Sequence, residues 1–160
     1  MASTTFNGPV RSENGFKTIV KSATTGALTN EMTFSQYTAT VTVANGATTG
    51  KESSIGIPSN FIPMGVTIAV TTAATNSVTL TDIGTDADTD GFVDGISPAI
   101  NSTGFKGFFP CNGVLGMSGG ATTASTATAD EVELVVSGDP GGDTVIVLKF
   151  IGIASSSDAS

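Results

Sequence analysis

The sequence predicts an all-β protein, with a single β-sandwich of jelly-roll or Greek-key type and an extended N-terminal arm. Apolar residues alternate with Thr, Ala and Ser in several short runs, as in strands with one buried face. Twenty glycines and six prolines supply turn chemistry between the runs. Only 12% of the residues are charged, too few for the exposed faces of helices. We expect seven or eight strands and no helix, with a closed barrel as the alternative architecture.

The sequence predicts three parts. They are the arm over residues 1–30, the sandwich body over residues 31–153 and a flexible tail over residues 154–160. Within the arm, the dipeptides Gly8-Pro9 and Asn14-Gly15 interrupt any regular element. The apolar residues of the arm are spaced too irregularly for a helix, but they suit a segment laid across another surface. Six residues are candidates for such contacts: Phe6, Arg11, Phe16, Lys17, Ile19 and Lys21.

Charge differs in sign between the arm and the rest of the chain. Three basic residues against Glu13 give the first thirty residues a charge of +2, within a formal net charge of -8. A solvated tail and a segment that docks on an acidic neighbour both fit this asymmetry. Binding to nucleic acid is not expected, because it depends on clustered Lys and Arg and the chain has six in all.

The first strands of the body follow in order. A long, half-buried strand is expected over 32–43, and a short strand over Ser54–Ile57 that Pro58 closes. The segment Gly65–Gly95 then opens with a predicted β-hairpin, which should organise the fold. Its apolar face is formed by Val66, Ile68 and Val70 before the turn, and by Val78 and Leu80 after it.

The C-terminal half predicts two further strands and a possible short pairing at Gly107–Phe109. Residues 121–129 are expected to be an exposed connection, and Glu131–Ser137 a strand with alternating valine and leucine. Thr144–Ile153 is nearly apolar throughout. A segment of this length, rich in β-branched residues, is expected to be a central strand that is buried on both faces.

The loop after the predicted hairpin is rich in aspartate. Its opening matches the D-x-D-x-D-G pattern of a calcium loop. Position twelve is Ser97, where such a loop needs a bidentate glutamate, and the flanks are strand-like. We interpret the loop as a solvated acidic turn or a subunit contact, with calcium as the alternative and no other cofactor expected. The calcium ligands would be Asp86, Asp88, Asp90 and Asp94.

The residues for catalysis are missing from the sequence. The chain has no histidine, which excludes Ser-His-Asp and Cys-His arrangements. Glu131 and Glu133 share one strand face, but such a pair is more typical of the solvated side of a sheet than of a glycosidase. Cys111 is the only cysteine and is expected to be a packed small residue. No apolar run of about 18 residues predicts a membrane span. We therefore expect a soluble, unexported protein that is not an enzyme.

Three segments of the chain are distinctive: STTFNGPVRSENGF, IPSNFIPMGVTIAVTTAATN and DIGTDADTDGFVDGI. They resemble the capsid decoration, or cement, proteins of tailed bacteriophages, notably those of marine and cyanobacterial phages. The resemblance implies a non-enzymatic virion protein, made in the host cytoplasm and placed on the outer capsid surface. It also implies a homo-oligomer, commonly a trimer, whose partner is the major capsid protein.

The resemblance further implies a mechanical role, in which the arm and loops bridge capsid subunits. The basic residues of the arm would pair with acidic capsid surface, and Phe6 and Phe16 would fill apolar pockets. Two alternatives remain: a tail- or fibre-associated virion protein, and a surface carbohydrate-binding jelly-roll module. The second is disfavoured because the chain has one tyrosine and no tryptophan to line a sugar groove.

Overall fold

The computed structural model describes residues 17–21, 24–25, 28–52, 57, 61–116 and 131–155. Every regular element in these ranges is a β-strand, which confirms the all-β prediction. The strands are β1 Lys17–Lys21, β2 Leu28–Val43, β3 Thr49–Glu52, β4 Phe61–Thr72, β5 Leu80–Thr85, β6 Gly104–Pro110, β7 Val132–Val136 and β8 Thr144–Ser155. The sheet therefore extends into the segments that the sequence assigned to the arm and to the tail.

The strands join in one antiparallel sheet that curls into a half-barrel, in the order β5-β7-β3-β2-β8-β4-β6. β1 pairs with residues 28–33 of β2, and β3 pairs with residues 41–43 of β2. Both lie on the same edge of β2, because β8 pairs along its opposite edge. The second layer that a sandwich requires is not found among the described residues. The predicted connection at 121–129 and most of the predicted strand at 54–57 lie outside them.

The core fills the concave side of the half-barrel. Along β8, Ile146, Leu148 and Phe150 are buried and face inward. Phe92, from the loop between β5 and β6, packs its ring on that of Phe150 with 5.5 Å between centroids. The same loop covers the free edge of β5, where Ile83 and Val93 exchange backbone hydrogen bonds of 2.9 Å. Strand alternation and loop packing thus bury the apolar residues on one side.

The predicted hairpin between β4 and β5 is wrong. β4 pairs with β8 on one edge and with β6 on the other, whereas β5 pairs with β7. The segment between β4 and β5 instead contacts the β7–β8 turn, where Thr75 and Asn76 donate backbone hydrogen bonds to the carbonyl of Pro140. Alternation predicted which residues face the core, since Val66, Ile68, Val70, Val78 and Leu80 are all buried. It did not identify the neighbouring strands.

The prediction for β8 is half right. The strand is central, between β2 and β4. It is not buried on both faces, because Lys149 and Ile151 are exposed on the convex side of the sheet. We call the convex side of β2, β8, β4 and β6 the outer face.

The turns at one end of the sheet are tied together by carboxylates. Asp139 Oδ1 accepts hydrogen bonds from the backbone N–H groups of Gly46 and Gly141, at 2.9 and 2.8 Å. These bonds, led by that from Gly141, lower the pKa of Asp139 because they favour its charged form. Asp143 accepts in the same way from the N–H of Asn45, at 2.9 Å. The β7–β8 turn is therefore fixed to the β2–β3 turn.

Candidate functional site

The four aspartates of the predicted calcium loop do not converge on one metal site. Asp86 accepts a hydrogen bond from Lys51 on β3. The hydrogen-bond contact with Asp90 is the main cause of the raised pKa of Asp88, and burial adds to it. Asn112 holds the backbone of Asp94 with two hydrogen bonds of 3.0 Å. The loop is thus an acidic turn that is closed on itself and on β3.

A small open cavity of about 110 Å³ lies beside this loop, lined by Asp90, Asp94, Asn112, Gly113 and Val114. In the part of the chain that the structure describes, no three Cys, Asp or Glu side chains are grouped so that they could hold a metal ion. Calcium binding stays a prediction without geometric support. The glycine-rich stretch that begins at Gly113 contributes only its first residues to the described structure.

A charged cluster on the convex side joins β3, β7 and the aspartate loop. Lys51 lies between Asp86 and Glu133, with 3.8 Å from its Nζ to Glu133 Oε2. Glu133 is buried, so its expected place on a solvated face is wrong, while Glu131 is exposed. Burial is the main cause of the raised pKa of Glu133, and the charge of Lys51 opposes it. The carboxyls of this cluster brace the sheet and do not line a cleft.

Replacing Glu133 with glutamine is expected to raise the melting temperature at pH 7 to 8. A carboxyl whose pKa is raised by folding stabilises the protein fully below its unfolded pKa, and this contribution is lost as the pH rises through the folded pKa. Glutamine keeps the shape without the buried charge. The gap between variant and wild type should close as the pH falls toward the ordinary glutamate pKa of 4.5. Thermal unfolding followed by circular dichroism across pH measures it.

Asp86→Asn is the matched control, with the opposite sign. The hydrogen bond from Lys51 lowers the pKa of Asp86, so its contribution is present above the unfolded pKa and is lost as the pH falls through the folded pKa. This variant should melt lower than wild type at pH 7 and like wild type in acid. A Glu133→Gln protein that melts lower than wild type at pH 7 would show that the Lys51 ion pair outweighs burial.

A second buried carboxylate escaped the sequence analysis. Glu52 is buried on the inner side, where Tyr37 donates its hydroxyl hydrogen bond to Glu52 Oε2 at 2.8 Å. The Tyr37 ring lies 6.4 Å from that of Phe150. The register between β2 and β3 would have indicated this burial, because Glu52 is opposite Val41, which faces the core. The pair satisfies polar groups inside the core.

The single cysteine is buried, as the sequence predicts. Burial raises the pKa of the Cys111 thiol to about 12, which keeps it protonated at neutral pH. A thiol is nucleophilic as the thiolate, so this group is chemically inert in the folded protein.

Three of the predicted arm residues lie in the described part of the chain. Lys17, Ile19 and Lys21 belong to β1, at register positions opposite Thr33, Glu31 and Leu28 of β2. The other three, Phe6, Arg11 and Phe16, lie outside the described residues. The structure thus pairs residues 17–21 of the predicted arm with β2.

The outer face exposes large apolar side chains to solvent. Its large apolar side chains are exposed by 59% at Phe34, 69% at Phe105, 55% at Phe108 and 42% at Ile151. Strand register places them on one side, since Phe34 is opposite Ile153, Phe108 opposite Thr67 and Phe105 opposite Ala69. The Phe108 ring lies over Gly65, where an added Cβ would overlap it. Such a patch is typical of a protein contact surface.

Only one acidic residue, Glu31 near the start of β2, belongs to the described strands β2, β4, β6 and β8. Of the acidic side chains that the structure describes, none lies on β4, β6, β8 or on β2 from Phe34 onward. They lie on β3, β5, β7 and the connecting loops: Glu52, Asp82, Asp86, Asp88, Asp90, Asp94, Glu131, Glu133, Asp139 and Asp143. The protein therefore has an acidic half and a charge-poor, apolar outer face.

No protein-family model, curated protein or solved structure matches this chain. The resemblance of its three segments to phage decoration proteins therefore stays a prediction. Within the described ranges, no helix is long and apolar enough to cross a membrane.

Proposed function

We propose that this protein is a non-enzymatic virion protein that decorates the outer surface of a phage capsid and stabilises it. It would bridge subunits of the major capsid protein through its N-terminal arm and loops. The observation that carries the proposal is the exposed apolar outer face on a braced β body, because such a surface serves assembly with other protein chains. The three resembling segments supply the virion context.

The position of β1 supports the bridging role. β1 pairs with the edge of β2, so the sixteen residues before Lys17 start from the rim of the sheet. A fully extended segment of that length reaches about 50 Å, which is enough to cross onto a neighbouring subunit. Arg11 would pair with acidic capsid surface, and Phe6 and Phe16 would fill apolar pockets. Several weak contacts on linked subunits multiply into tight binding and favour the assembled shell.

Deleting residues 1–16 is expected to weaken binding to empty heads at least tenfold, because the arm contacts are lost while β1 still covers the edge of β2. Purified heads that lack the protein would be titrated with it, and bound copies would be measured after sedimentation. Phe6→Ala with Phe16→Ala in the full-length chain should weaken binding in the same direction. Deletion of residues 156–160 is the control and should leave binding unchanged.

Undiminished binding by the arm-deleted protein would contradict the proposed bridging role. The number of copies per virion, measured by quantitative mass spectrometry, separates the capsid from the tail-fibre alternative. Hundreds of copies are expected for shell decoration, whereas a handful would place the protein on the tail or its fibres.

A further inference from the structure

The outer face carries apolar side chains on four neighbouring strands of the curled sheet. Its apolar residues form rows across the strands, with Phe34, Ile153 and Ile62 in one row and Val147, Ala69 and Phe105 in another. Between the rows lie Ile151 and the Phe108 ring over Gly65. Register places the charged side chain of Lys149 in this surface, opposite Thr38 and Thr67 on the neighbouring strands. Sheets that pack face to face bury surfaces of this kind.

We propose that the outer face is where two copies of this chain associate. Charge selects this partner and this face, because two acidic molecules repel each other wherever their carboxylates meet. Apart from Glu31 near the start of β2, the described acids lie on the other strands and loops. Two copies that meet through the outer face therefore do not place these carboxylates opposite each other. Packing of this type would create a sandwich with one sheet from each copy.

The size of the face can be compared with that of a standard contact between proteins. From Val145 to Ile153, β8 spans about 26 Å at ~3.3 Å per residue, and four strands with their side chains span about 20 Å at ~4.8 Å spacing. The projected area is thus on the order of 500 Å², and its accessible area is larger because the side chains protrude. A standard interface buries about 800 Å² on each partner.

Face packing is favoured over pairing at the strand edge. β6 is the last strand on its side of the sheet, and its far edge has no strand partner within the described ranges. That edge is irregular, because Gly104 and Gly107 have φ angles of 111° and 137° and the register with β4 shifts between Ile68 and Ala69. Bulged edges resist the addition of another strand. Phe105 and Phe108 therefore contribute through the face of the sheet.

The experiment measures the mass of the full-length protein in solution, without any capsid. Wild type is expected to sediment as two or more copies of the 15.9 kDa chain at micromolar concentration. Phe105→Asp combined with Ile151→Asp should raise the dissociation constant at least tenfold, because both exposed positions would place carboxylates in the contact. Val114→Asp is the matched control, since Val114 is 66% exposed but lies in a loop outside the outer face.

The double variant must give the circular dichroism spectrum of wild type, which shows that it is folded. We expect it to fold because both substituted positions are exposed. A monomeric wild type, or a double variant that associates like wild type, would overturn the proposal. Deletion of residues 1–16 tests whether the arm of the same chain covers the outer face instead. If copies associate only after this deletion, the arm covers the face and the proposal is overturned. Association that persists after deletion supports the proposal. If the arm-deleted protein loses binding to heads but keeps the mass of the associated form, only the arm is affected. The proposed capsid function and the proposed contact between copies can therefore fail separately.

Discussion

Replacing Gly84 with alanine is expected to lower the free energy of unfolding by about 3 kcal/mol or more, because overpacking against backbone cannot relax cheaply. Gly84 is a buried residue of β5. A Cβ there would lie 2.5 Å from the carbonyl carbon of Thr89 and 2.7 Å from its oxygen, and would overlap the carbonyl oxygen of Asp88. The close approach of the aspartate loop to β5 thus requires glycine.

The loop cannot move aside without breaking its own hydrogen bonds. The carbonyl of Asp88 accepts from the N–H groups of Thr85 and Gly91, at 2.8 and 3.1 Å. Urea unfolding measures the loss. Gly138→Ala is the control, because its Cβ would meet only Val78 Cγ1 at an ordinary 3.6 Å, and it should stay within about 0.5 kcal/mol of wild type. A Gly84→Ala protein as stable as this control would show that the loop does not rest on β5.

Replacing Phe150 with alanine is expected to cost about 3–5 kcal/mol, the range for truncating a buried aromatic side chain. Phe150 is fully buried in the centre of β8, opposite Tyr37 on β2 and Val66 on β4. Its ring meets the edge of Phe92 at an interplanar angle of 67°. Removing it leaves a cavity where three strands and the β5–β6 loop converge. A loss of this size is a large share of the ~5–15 kcal/mol of a typical domain.

Chemical unfolding at neutral pH would measure this cost. Phe150→Leu is the matched control, because leucine keeps an apolar side chain in the cavity and should lose less than half as much. If alanine and leucine cost the same small amount, the concave side would not be the main core of the protein.

Local periodicity predicted which residues form strands and which of them are buried. The positions of β2, β4, β7 and β8 follow from their alternation or apolar runs, and the buried residues Val66, Ile68 and Val70 were predicted from alternation alone. Neighbouring strands were less predictable. The false hairpin shows why: β4 is separated from β5 by a few residues, yet its partners β6 and β8 are far along the chain.

The outer face left only a weak signal in the sequence. Phe34 has the same strand parity as Gln36, Thr38 and Thr40, so its exposure could be read from alternation. The exposure of Ile151 could not, because an apolar run such as that of β8 does not indicate how many of its faces are covered. Burial of Glu133 was equally hidden, since its neighbours across the sheet, Lys51 on β3 and Gly84 on β5, come from distant segments.

The sequence by itself determined the all-β class, the lack of histidine chemistry, the acidic balance and the inward residues of most strands, because these depend on composition and on a period of two residues. The tertiary structure decided that the strands form one curled sheet, that the loop aspartates do not converge on a metal site, and that the described acidic side chains lie away from the exposed apolar outer face. These features depend on which distant segments lie side by side. Pairing between distant strands is set by the packing of the whole core, and no local pattern encodes it.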